Sequence, residues 1–435
     1  MAPWVRGKTV KNKGNLCAGF AKPIFGVVES LRPWCLGSNS IQGILMQLSN
    51  RLSTLTPGGS DGWEVFYRAR QMKQAGEKVT ELTIGEHDIG TDGIILDAMH
   101  LAAKDGHTGY AAVPGVAALR QKVADRVTAR TGVATAPENV VITPGGQAAL
   151  FAAHMAAMDA GDRGLFIDPY YATYPGTIRG AGGIPVPVAA HAKNGFQPDA
   201  ADIAAQAEGA ASLLINSPNN PTGVIYNEQT LTDIADVCQA HDLWLISDEV
   251  YDTQIWQGHH LSPRALPDMA DRTLVVGSMS KSHAMTGSRV GWIVGPEATV
   301  EALINLSTHT TYGVPGYIQD AALFALNQGT GLEAKIAAPF RRRPDLAREL
   351  LARQNLLRLV PAGGAMYIML DIRATGLSGF DFANALLDAH KIAVMPGESF
   401  GSAAAGHIRV AMTVDDARFV SALSTLVDFA KGLVS

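Results

Sequence analysis

From residue 95 to 330, short apolar runs alternate with stretches in which apolar positions recur at helical spacing. The runs are NVVITP (139–144), GLFIDP (164–169), GIPVPVA (183–189), ASLLINSP (211–218), LWLISDEVY (243–251), RTLVVGSM (272–279) and RVGWIVG (289–295). Their apolar residues are consecutive rather than alternating, which reads as strands buried on both faces. Ala- and Leu-rich segments such as 147–158 and 228–240 lie between most of them and predict helices. The alternation implies an α/β domain with a mostly parallel sheet covered by helices. Ligands in such sheets bind beyond the carboxyl ends of the strands, so polar residues directly after the strands are the candidates for chemistry.

The pattern changes on either side. Upstream, WEVFYRARQMKQAGE (63–77) predicts a helix and VTELTIGEHDIGTD (79–92) a short strand ending at Gly85. A glycine there lets a ligand approach the backbone, although a plain turn is the simpler local explanation. Downstream of 331 come a long charged helix, PFRRRPDLARELLARQN (339–355), then AMYIMLDI (365–372), a helix DFANALLDAH (381–390), IAVMPG (392–397), HIRVAM (407–412) and a closing helix over 415–432. This strand–helix mixture predicts a smaller α+β domain over 331–435, beside a large domain over 95–330. Residues 46–94 are expected to contribute to the smaller domain, and residues 1–45 to form an irregular extension.

With 435 residues, 47% apolar and 17% charged, the chain can bury the cores of two or three domains. A net charge of −5 gives no basic field for nucleic acid or an anionic membrane. No apolar run approaches the roughly 20 residues that span a bilayer. Cys17, Cys35 and Cys238 are too few and too scattered for a disulfide framework or a zinc site, which suits a reducing, cytoplasmic setting. The first 45 residues set Arg6, Lys8, Lys11, Lys13, Lys22 and Arg32 against Glu29 alone. A targeting peptide has that balance, but Lys22 and Pro23 break the apolar stretch near 16–28, and Met46 offers an alternative start.

The candidate chemistry centres on Lys281, two residues past the run ending at Met279. A lysine at the end of a buried strand loses charge by desolvation, and its free amine can form an imine with a carbonyl. Ser278, Ser280 and Arg289 beside it are donors suited to a phosphate. An amine that condenses and donors that hold a phosphate together suggest pyridoxal phosphate (PLP), although a solvated lysine is the commoner case. Gly145, Gly146 and Gln147 follow NVVITP and open a helix, whose N-terminus attracts anions. Tyr170, Tyr171 and Tyr174 follow GLFIDP, where a ring could stack on a flat cofactor or simply pack. In NSPNNPTG, the proline after Asn220 holds that asparagine extended, placed to bond a phenolate oxygen. Asp248 follows a continuous apolar run, and a buried carboxylate needs a positive partner such as a protonated pyridine nitrogen; capping a following helix is the alternative. Tyr251 stands three residues on, a donor for the same ring. Arg409, in HIRVAM, can grip a carboxylate with two parallel bonds, although most single strand arginines are merely solvated.

In order, GGQ, PYY, NNPTG, SDEVY, SMSKS with Arg289, and HIRVAM resemble the class I/II aminotransferases of PLP fold type I, from about residue 50 to 430. The resemblance implies that Lys281 carries the cofactor as an imine, Asp248 holds its pyridine N–H, and Asn220 and Tyr251 contact its phenolate oxygen. Tyr171 would stack on the ring, and Gly146, Gln147, Ser278, Ser280 and Arg289 would hold the phosphate. Arg409 and Gly85, with Asn220, would bind the substrate carboxylate. It also implies a homodimer, with Tyr110 of HTGYAAVPG reaching the phosphate of the partner subunit, and ping-pong transfer of an amino group from an amino acid to a 2-oxo acid. Two departures stand out. The stacking ring is Tyr171 where Trp or Phe is frequent, and the entrance motif Gly-x-Pro-Asp-Phe is Gly85-Glu86-His87-Asp88-Ile89. The runs PDMADRT, SMSKSHAMTGSRVGWIVGP, YGVPGYIQDAA and DIRATGLS are most similar to arginine–pyruvate transaminases. A PLP-dependent C–S β-lyase shares the fold and lysine, and a non-catalytic sensor would need a DNA-binding module upstream; both are alternatives.

Overall fold

The computed structural model describes residues 48–57 and 62–434, so the basic, irregular extension expected over 1–45 lies outside the described residues. Strand β1 (Thr80–Leu82) comes first, and the helix Glu64–Gln74 precedes it as its apolar spacing predicts. The seven apolar runs then become β2 (Val140–Thr143), β3 (Arg163–Asp168), β4 (Ile184–Ala189), β5 (Ala210–Asn216), β6 (Trp244–Asp248), β7 (Thr273–Ser278) and β8 (Gly291–Val294). They form one sheet in the order β2-β8-β7-β6-β5-β3-β4, parallel except for β8, which runs antiparallel to both of its neighbours. Helices on its faces bury it: one apolar cluster joins Leu150, Ala153, Tyr174 and Ile178 to Phe166, Leu214 and Ile246. A second joins Leu231, Ile234 and Cys238 to Leu165, Leu213 and Leu245. The α/β fold with a mostly parallel sheet is therefore the observed one.

A second sheet holds β9 (Arg358–Leu359), β10 (Tyr367–Asp371), β11 (Ile392–Pro396) and β12 (His407–Ala411), in the order β1-β11-β12-β10-β9. β1 adds itself parallel to β11, so residues near 80 are built into a sheet otherwise formed by the last 80 residues of the chain. The helices Gly379–His390 and Asp416–Val434 cover it through Phe382, Leu386, Phe419 and Leu426. Two boundaries differ from the sequence reading. β1 ends at Leu82, not Gly85: the chain leaves the sheet there, and Ile84 and Gly85 line a cavity. The long charged helix begins at Thr330 and runs to Leu351, taking Pro339 and Pro344 inside it. No helix among the described residues is long and apolar enough to cross a membrane.

Candidate active site

The carboxyl ends of β2, β3, β5, β6 and β7 open onto one cavity of about 440 Å³. Gly85, Gly146, Gln147, Tyr171, Asn220, Asp248, Tyr251, Ser278, Ser280, Lys281 and Arg289 all line it. Residues separated by up to two hundred positions converge because each follows a strand of the same sheet, or in the case of Gly85 the short strand β1.

At one end lie the donors. Gly145 caps the helix Gly146–Ala157 with a left-handed φ of +84°, and a Cβ there would stand 2.5 Å from Nη2 of Arg289. Only glycine lets the guanidinium and the helix N-terminus come so close. Arg289 donates to the carbonyls of Thr286 (3.0 Å) and Pro144 (3.5 Å), which fixes its orientation. Ser278 and Ser280 are both buried, and the Ser278 hydroxyl accepts the Ser280 N–H at 3.1 Å. Gln147 directs its side chain away from this end, to Thr177 (2.8 Å) and Thr173 (3.1 Å), so it offers its backbone N–H here.

At the other end is Asp248, which is buried and makes no ion pair with any described residue. Oδ2 accepts the Tyr174 hydroxyl at 2.7 Å and Oδ1 the Val250 N–H at 3.2 Å. Burial pushes its pKa up to about 6, with the Tyr174 bond opposing that shift. The Lys281 amine sits between the two ends and donates to the Gly85 carbonyl. Burial lowers its pKa, an effect that nearby Tyr367 and Glu86 counter. Desolvation also pushes the Tyr171 phenol up to about 12.

Two expected residues stand elsewhere. Tyr110 is 91% exposed, packed edge-on against Tyr312 at 5.1 Å, and does not reach the cavity of its own chain. Arg409 is not solvated, as its isolated strand position suggested; it is fully buried one layer behind the wall. Its guanidinium lies 4.3 Å from the ring centroids of both Tyr367 and Phe400. Nη1 donates to Asn220 Oδ1 at 2.8 Å and Nη2 to the Thr83 carbonyl, while buried Nε has no partner among the described residues. Aromatic faces and two acceptors hold the charge in place.

Several lining residues have no motif to announce them. Tyr367, from β10, has its hydroxyl 3.0 Å from that of Tyr251, and a Cβ on Gly85 would fall 1.8 Å from the Tyr367 oxygen. That contact, rather than ligand approach alone, explains the glycine at 85. Trp63, Phe66 and Tyr67 also line the cavity, as does Glu86 of the entrance motif. Tyr174 was among the tyrosines singled out after GLFIDP, but its partner Asp248 could not be read from the sequence.

The donor set fits PLP: an anion cradle at one end, a buried carboxylate suited to a cationic N–H at the other, and an amine between them. Residues 77–426 match the model of the family described as aminotransferase class I and II. The chain belongs to this family. An arginine–pyruvate transaminase of Pseudomonas aeruginosa is 41% identical over 370 residues, covering 85% of this chain and 94% of that protein. An aspartate/prephenate aminotransferase of Thermus thermophilus is 33% identical, covering 86% and 97%. Among solved structures, aspartate aminotransferase from Thermus thermophilus with maleate superposes with a TM-score of 0.82 at 33% identity, over 89% of this chain and all of that one. This aminotransferase is thus a PLP-dependent enzyme of fold type I that moves an amino group between an amino acid and a 2-oxo acid.

Proposed function

We propose that this aminotransferase takes arginine as amino donor and pyruvate as acceptor. The observation that carries the donor is the cavity wall. Its two carboxylates are Asp248, buried and bonded to Tyr174, and Glu86, with no ion pair among the described residues. Glu86 is the group a cationic side chain would meet. The 41% identity with an arginine–pyruvate transaminase supports the same choice.

When bound, PLP supplies a carbonyl that takes up the amino group and a ring that draws off the electrons left at Cα. The residues divide the remaining work. Ser278, Ser280, Arg289 and the N–H groups of Gly146 and Gln147 would hold the phosphate. Asp248 would hold the pyridine N–H, Tyr171 the ring face, and Asn220 with Tyr251 the phenolate oxygen. Lys281 Nζ anchors the cofactor and moves the proton from the substrate Cα; its lowered pKa enlarges the neutral fraction that can do so. Arg409 would take the substrate carboxylate beside Gly85 and Asn220 once its guanidinium turns out from between Tyr367 and Phe400 toward the cavity. The same groups serve the return half-reaction, as ping-pong transfer requires.

A broad groove of about 1210 Å³ runs beside the site and shares Trp63, Tyr67, Gln147 and Arg289 with it. Exposed Leu52 and Phe151 line it, and exposed Tyr110 packs against Tyr312, next in sequence to its lining residue Thr311, so it suits a second copy of the chain, and we take the enzyme as a cytoplasmic homodimer. The test of function is a half-reaction scan: the PLP form is mixed with arginine, lysine, alanine, aspartate or phenylalanine without a 2-oxo acid. Conversion to the amine form is expected with arginine, and Glu86→Gln should lower arginine's kcat/KM roughly fivefold relative to alanine. Conversion by aspartate or phenylalanine but not arginine overturns the donor. Release of pyruvate and ammonia from a cysteine conjugate, with no conversion by any donor, would favour the β-lyase.

A further inference from the structure

Tyr174 is the first residue of the helix Tyr174–Ala181, with Pro175 holding the following turn. Its ring is 2% exposed, packs with Leu150, Phe166, Ile246 and Val276, and lines the cavity. From there it makes two contacts. Its hydroxyl donates to Asp248 Oδ2 at 2.7 Å, and its ring meets Tyr171 edge-on at 5.8 Å and 86°. The direction of the first bond is fixed, because burial and the neighbouring carboxylate push the phenol well above its ordinary range and keep its proton in place.

We propose that Tyr174 is a positioning residue that holds Asp248 ionised and aimed at the cofactor nitrogen, by donating its hydroxyl to the carboxylate oxygen opposite the Val250 N–H. This rests on the reading of Asp248 as the partner of the pyridine N–H. A carboxylate moved from water into an apolar floor takes up a proton more readily, and a protonated carboxyl no longer favours a protonated pyridine. A hydrogen bond donated to the charged form opposes that uptake. With Oδ2 tied to Tyr174 and Oδ1 to Val250, the carboxyl plane cannot rotate without breaking a buried bond. The other titratable groups that face Asp248 are Tyr171 from the segment before the helix, Glu249 and Tyr251 on its own segment, and Lys281 beyond β7. Glu249 favours the proton and Lys281 opposes it, and both act on the carboxylate through charge rather than through a hydrogen bond. Tyr174 supplies the side-chain donor.

The test compares Tyr174→Phe with the parent enzyme. The substitution keeps the ring against Tyr171 and removes the hydroxyl. The readout is the PLP dissociation constant of the cofactor-free protein across pH 5.5 to 9, followed by absorbance. The acid limb of the Tyr174→Phe profile is expected to move up by about one pH unit, so that binding is roughly tenfold weaker at low pH and close to the parent at high pH. Replacing Tyr174 by 3-fluorotyrosine keeps the fold and makes the phenol a stronger donor, so the limb should move the opposite way. Asp248→Asn marks the reading beneath. If it weakens PLP binding while both Tyr174 replacements leave the limb where it was, Tyr174 is only packing and the proposal falls. If Asp248→Asn itself leaves the affinity and its pH dependence unchanged, Asp248 does not face the cofactor nitrogen and both fall. Should Tyr174→Phe not fold, the fluorotyrosine protein decides: an unmoved limb overturns the proposal.

Discussion

Lys281 and Asp248 were legible because each closes a continuous apolar run, so burial of a charge could be inferred from local sequence alone. Tyr367 was not, since nothing in its own segment says what it faces across the cavity; the entrance motif placed Glu86 near the site but not its approach to Lys281. Arg409 shows the limit from the other side: its residue type and strand were readable, its sealed place between Tyr367 and Phe400 was not. Asp248 carries a stability consequence. Its folded pKa, about 6, lies above the roughly 3.9 of an unfolded chain, so in the cofactor-free protein its ionised form is penalised. That penalty is fully present above about pH 6 and vanishes below the unfolded value. Asp248→Asn should therefore stabilise the cofactor-free protein by up to about 2 kcal/mol at pH 8, and by nothing measurable near pH 4. Urea midpoints at the two pH values check this, and an equal effect at both would show that the carboxyl is not buried as a lone charge.

Among the elements, each apolar run overlaps one strand of the large sheet, because most of these strands are buried throughout; β4, at the sheet edge, is the exception, with Ile184 half exposed. The helix Thr330–Leu351 was read late. Pro339 and Pro344 look like helix stops, yet both are accommodated, and Arg343 between them is buried. Arg343 clamps Asp88 through two bonds (3.1 and 2.6 Å), the Met412 carbonyl at 2.7 Å and Asp416 at 3.0 Å. It ties this helix to the segment that carries Gly85 and Glu86. Its neighbour Arg342 pairs with Asp416 at 2.5 Å, but with half its side chain in water. Arg343→Met leaves a carboxylate and a carbonyl unpaired and should destabilise by roughly 3 kcal/mol, whereas Arg342→Met should change stability by less than about 1 kcal/mol. Denaturant midpoints of the two variants test the contrast; equal losses would mean that the buried clamp carries no more than a surface pair.

At the scale of the whole molecule, one residue is in the wrong place for a self-sufficient site. Tyr110 is assigned by resemblance to a cofactor phosphate, yet its side chain stands almost wholly in solvent, away from the cavity of its own chain. Both statements hold together if a second copy brings its Tyr110 to this cavity, which a two-fold dimer does reciprocally. That arrangement has an arithmetic signature. Lys281→Ala alone should abolish turnover and Tyr110→Phe alone should weaken PLP binding. When the two variants are unfolded, mixed in equal amounts and refolded, half the dimers are hybrids. In each hybrid one site carries both defects and the other carries neither. With PLP limiting enough to expose the Tyr110 defect, the mixture should regain roughly a quarter of parental activity, more than either variant alone. If Tyr110 acts within its own chain, every hybrid site carries one defect and no recovery follows. A mixture no more active than the average of its parts would therefore remove Tyr110 from the shared site, and with it the reason to call the site incomplete in one chain.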